Sequence, residues 1–110
     1  MALHHARPGE VVDLGPLGPG LTTAGTRALV KTDAFEAARL IIGKGTEIPT
    51  HRVAGPVILH CLEGRVRVGL AGSALELAAG QWTHLPGGTD YSMEGLEDSA
   101  LLLTILFETP

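Results

Sequence analysis

The apolar positions fall into short runs, and most runs stop at a glycine or a proline. Residues 27–31, 35–42, 46–51, 57–62, 65–70, 74–77, 81–85, 91–94 and 99–107 read as strands. The breaks between them carry turn residues, among them Gly43, Gly45, Gly64, Gly72, Gly80 and Pro86-Gly87-Gly88. Short strands at regular spacing predict an all-β sandwich or closed barrel rather than strand–helix–strand units. Residues 35–42 are apolar enough for a helix, but the glycines end the run too soon for one, so a strand is favoured.

Arg65-Val66-Arg67-Val68 alternates cleanly, which predicts one solvated face and one packed face. Val57-Ile58-Leu59 and residues 101–107 are instead apolar on both faces. Such strands need a cover on each side, the barrel interior and something outside it. A second subunit is the simplest outer cover, so a homodimer is expected, with residues 101–107 or 38–42 near the interface. The alternative cover is the N-terminal arm folded back. Residues 11–20 are extended and broken by turn residues, so residues 1–24 are set apart as an arm on one domain spanning 1–110.

Composition narrows the classes. At 110 residues there is room for one core, and 45% hydrophobic against 4% aromatic content means that Val, Leu, Ile and Ala fill it. The net charge is −4, and the basic residues are scattered along the chain. No row of phosphates finds a match there, so nucleic acid is not an expected partner. Cys61 is the only cysteine, which rules out an internal disulfide and favours a reducing compartment. Residues 1–10 lack the apolar stretch of a signal peptide, and no run approaches the ~20 residues of a membrane span. A cytoplasmic location without a membrane partner is expected.

Residues 45–95 carry a family resemblance. Gly45-Thr46-Glu47-Ile48-Pro49-Thr50-His51 resembles the opening of the first cupin motif, a glycine, five residues and a metal-binding histidine. Leu62-Glu63-Gly64 is similar to the hairpin turn that closes that motif. Gly80 to Gly88 matches the start of the second motif, a glycine, five residues and Pro-x-Gly. The resemblance implies a jelly-roll barrel, the cupin-type double-stranded β-helix. It also implies four metal-ligand positions, of which only His51 keeps its ligand. Val53 stands where the family has its second histidine, Val57 where it has a glutamate, and Tyr91 where it has the last histidine. A divalent ion wants several converging His and carboxylate ligands, and one histidine does not make that set.

His51, His60, Trp82, His84 and Tyr91 are the pocket candidates. His60 and His84 lie in otherwise apolar strands, and three convergent histidines could form a nonstandard metal site. Register decides the matter. Pairing of His51 with Ile58 would set His51 and His60 on one face; pairing with Val57 would turn Cys61 inward and His60 away. The polar Gln81 and Thr83 suggest an outward face, leaving Trp82 and His84 inward to line a pocket. The bland alternative makes Trp82 a core plug and His84 a residue bonded to a backbone carbonyl. Tyr91 is expected to orient a ligand or fill space, and Cys61 to act as a small buried hydrophobe. His4 and His5 are expected to be solvated.

Two functions follow. One is a small-molecule-binding cupin-type barrel with an incomplete metal site and no required cofactor. The other is a small cupin enzyme, dioxygenase- or isomerase-like, that uses a nonstandard His-based metal ion or an acid/base site of His51, His84 and Tyr91.

Overall fold

The computed structural model describes residues 5–107, and His4 lies outside the described residues. Among the described residues, nine strands follow a single six-residue 3-10 turn, Gly18–Thr23. They are β1 (Arg27–Lys31), β2 (Phe35–Ile42), β3 (Glu47–His51), β4 (Val57–Glu63), β5 (Arg65–Leu70), β6 (Ser73–Ala78), β7 (Trp82–Leu85), β8 (Tyr91–Gly95) and β9 (Ser99–Leu106). The run 35–42 is a strand, as its length argued. The arm is not wholly extended: Pro19 near the start of the 3-10 turn suits the fixed backbone angle there, and Leu21 anchors the turn by burial.

Two antiparallel sheets face each other. Sheet A has the order β1-β2-β9-β4-β7 and sheet B the order β3-β8-β5-β6. Their inner faces contribute one aliphatic core that includes Ile42, Val57, Leu59, Cys61, Val66, Val68, Leu77, Met93 and Leu101. Strand β4 alternates buried and half-buried along its length, with Val57, Leu59 and Cys61 inside and Ile58 and His60 outside.

The two ends of the barrel differ. One end is closed by backbone packing around the Leu62-Glu63-Gly64 turn. Gly64 has a φ of +77°, and a Cβ there would collide with the Asp98 carbonyl and Ser99. The buried Ser99 hydroxyl accepts from the Arg65 amide at 3.0 Å and donates to the Glu97 carbonyl at 2.7 Å. The arm seals this end. The Glu63 carboxylate accepts from the amides of Leu17 at 2.6 Å and Gly18 at 3.2 Å. Earlier in the arm, the Ala6 amide donates to Leu29 on β1, the edge strand of sheet A. The opposite end, the mouth, holds the start of β2, the end of β3, the start of β8 and the end of β9.

Candidate ligand site at the barrel mouth

His51 does not pair with β4 in either register considered from the sequence. It pairs with Tyr91 in sheet B, after an irregularity between Ile48 and His51 that re-aims the end of β3. The two rings stack at 4.4 Å between centroids, tilted by 51°. His51 stays half-buried, and its Nδ1 lies 3.3 Å from the Pro49 carbonyl, a donor contact in the Nδ1–H tautomer. Tyr91 is 1% exposed, and its hydroxyl has no hydrogen-bond partner. Burial pushes the phenol pKa upward, so it stays a neutral donor. Beside the pair, Arg52 donates to Asp90 through Nε at 2.8 Å and Nη2 at 3.1 Å. That fork ties the residue after β3 to the residue before β8. The guanidinium holds the Asp90 carboxyl below its usual range.

The rest of the mouth combines apolar walls with two charged side chains. A cavity of about 390 Å³ opens there, lined by Lys31, Glu36, Val53, Ala54, Ile105 and Phe107 among others. Val53 packs against the core, and Val57 is 2% exposed and pairs with Ile105. The Pro86-Gly87-Gly88 turn sits directly under this wall. A Cβ at Gly87 would collide with the Ala54 carbonyl, and the Gly88 amide donates to the Val53 carbonyl at 2.9 Å. Only glycine lets the two backbones approach so closely.

Glu36 and Lys31 escaped the sequence reading. Glu36 pairs with Ile105 and with Lys31, which turns both side chains toward the mouth. The signal was present: Glu36 shares parity with Leu40 and Ile42, the inward side of β2.

The five pocket candidates do not form one pocket. His51 and Tyr91 meet at the mouth, whereas His60, Trp82 and His84 stand on the outer face of sheet A. Trp82 is 55% exposed, and its ring lies 5.6 Å from that of His84. The inward expectation for Trp82 and His84 is therefore corrected. Leu85 is buried, and this fixes the parity of β7 so that Thr83 faces inward opposite Leu59. A threonine fits between packed aliphatic side chains where an indole would not. His60 faces outward because Cys61 is buried beside it. The three histidines do not converge, and no three His, Cys, Asp or Glu among the described residues could hold a metal ion. Burial raises the Cys61 thiol pKa, in keeping with a structural role.

At the four positions where the resemblance implies metal ligands stand one imidazole, one phenol and two valines, a set that does not match that ligand pattern. No helix among the described residues is long and apolar enough to cross a membrane.

No family model matches the chain, and no curated protein sequence matches it. Solved structures do. A cupin superfamily protein from Desulfitobacterium hafniense superposes with a TM-score of 0.77 at 15% identity, over 94% of this chain and 100% of that one. A conserved protein of unknown function from Streptococcus pyogenes gives 0.77 at 19% identity, over 100% and 97%. The salicylate 1,2-dioxygenase of Pseudoaminobacter salicylatoxidans gives 0.68 at 17% identity, over 73% of this chain and 24% of that enzyme. At these identities the likeness is one of fold.

Proposed function

We propose that this chain, which has the fold of a small single-domain cupin, binds a small molecule at the barrel mouth without a metal ion. The observation that carries the reading is the buried Tyr91 hydroxyl, unpartnered beside His51. A buried hydroxyl without a partner costs about 1–3 kcal/mol. A ligand acceptor placed there recovers that energy, and the neighbouring cavity wall of Val53, Ala54, Ile105 and Phe107 takes the apolar part of the same molecule. The Lys31 and Glu36 pair at the rim adds one charge of each sign. The ligand class that fits is therefore small and amphipathic, with a hydrogen-bond acceptor for the phenol.

The test uses a panel of small carboxylic acids and amino acids, screened by ligand-observed NMR against the wild type and Tyr91→Phe. Binding that weakens at least tenfold in Tyr91→Phe supports the reading. Binding unaffected by that change, or submicromolar calorimetric binding of Mn²⁺, Fe²⁺ or Ni²⁺ to the unmodified protein, overturns it.

The second reading is a metal-free acid/base enzyme, favoured by the His51–Tyr91 stack. His84 drops out of it, because that side chain lies on the outer face. Turnover of a bound panel member, lost in both His51→Ala and Tyr91→Phe, would select this reading.

A further inference from the structure

A second cavity lies between the arm and the turn that joins β1 to β2. It measures about 490 Å³, and Ala6, Pro8, Val30 and Phe35 give it an apolar lining. That size falls within the roughly 300–1,000 Å³ of small-molecule sites. Arg7 lines it from the arm and Lys31 from the end of β1, and Lys31 is the one lining residue it shares with the mouth cavity. Both walls are turns that close on themselves. In the arm, the Arg7 amide donates to the Glu10 carboxylate at 2.9 Å, and the Glu10 amide donates to the Arg7 carbonyl at 2.9 Å. The Ala6 amide, donating to the Leu29 carbonyl at 2.7 Å, fixes this turn to β1. Across the groove, the Thr32 hydroxyl accepts from the amides of Ala34 at 3.0 Å and Phe35 at 3.1 Å. The Thr32 amide donates to the Phe35 carbonyl at 2.8 Å. Walls held in this way lose little freedom when a ligand enters.

The charge of the groove has one sign. Glu10 and Asp33 are close by in sequence and do not line it, and Glu36, the ladder partner of Lys31, lines the mouth instead. Arg52, Arg65 and Arg67 each have a carboxylate partner. Arg7 and Lys31 form no ion pair among the described residues. In a chain of net charge −4, two uncommitted cations, one from each wall of an apolar groove, call for an anion with an apolar body.

We infer that this groove binds a small amphipathic carboxylate, independently of the site at the mouth. The carboxylate sits between the Arg7 guanidinium, whose planar donors match its two oxygens, and the Lys31 ammonium. The hydrocarbon part covers Pro8, Val30 and the Phe35 ring. A cationic amphiphile of the same length gains the same apolar contact and is repelled by both cations, so the groove selects by charge.

Titration of the full chain with octanoate, followed through its backbone amide NMR signals, tests this, with octylammonium as the control of opposite charge. Octanoate at up to about 10 mM should shift the amides of Arg7, Thr32 and Phe35, and octylammonium should not. Arg7→Gln and Phe35→Ala should each weaken octanoate binding at least fivefold. Arg7 is exposed, so Arg7→Gln keeps the test readable if Phe35→Ala does not fold. No shift at these amides, or equal shifts with octylammonium, would overturn the inference. Shifts centred on His51 and lost in Tyr91→Phe would place the acid at the mouth, overturning this inference and leaving the mouth reading intact. Self-association that covers the same amides and is not displaced by octanoate would assign the groove to a second copy and overturn it as well.

Discussion

Replacing Tyr91 by phenylalanine should raise the stability of the free protein, the reverse of the usual result for losing a polar group. The ring is 1% exposed and stacked 4.4 Å from His51, and phenylalanine fills the same space with the same stack. Only the hydroxyl is removed, and it has no partner to lose. The gain is the desolvation cost of that group, about 1–3 kcal/mol. A chain of 110 residues unfolds with an entropy worth roughly 0.23 kcal/mol per degree, so Tm should rise by roughly 4–13 °C. Urea titration should show a higher midpoint at an unchanged slope, since the surface exposed on unfolding is the same. The pH dependence gives an independent reading, because Tyr91 is the sole tyrosine. Its folded pKa is raised by burial. The stability linked to it is therefore fully present below the unfolded value near 10 and is lost as pH rises through the raised folded value. Tyr91→Phe should abolish that alkaline loss. A drop in stability of about 0.5–1.5 kcal/mol, the cost of an ordinary lost hydrogen bond, would show that the hydroxyl already has a partner and would refute the reasoning.

Restoring the family ligands through Val53→His, Val57→Glu and Tyr91→His should destabilise the metal-free protein, because Val57 is buried and a carboxylate there has no partner. Mn²⁺ or Ni²⁺ should then raise its Tm in thermal denaturation, and no response would show that the mouth lacks cupin ligand geometry. Gly64→Ala combines a left-handed backbone with a collision against Asp98 and Ser99, so chemical denaturation should show a loss on the order of 2 kcal/mol. Cys61 is fully buried with its thiol pKa raised. A thiol reagent at pH 8 should therefore label it only at the rate of unfolding.

Much of the fold was legible in the chain. Turn glycines delimit strands without help from distant residues, and the resemblance of two half-motifs to the cupin pattern pointed to the barrel. That Val53, Val57 and Tyr91 stand where the resemblance implies ligands was equally plain, because it depends on residue identity alone. Which way each strand turned its side chains was decided by tertiary structure. Strand β7 reads Trp82-Thr83-His84-Leu85, where polarity alone suggests an inward indole, and the tight interior opposite Leu59 reversed that choice. His51 found its partner in β8 rather than β4, since sheet membership depends on chain crossings that no local pattern encodes. Those two outcomes separated His51 and Tyr91 at the mouth from His60, Trp82 and His84 on the outside. The sequence specified which side chains were available; packing the two sheets determined which of them could meet.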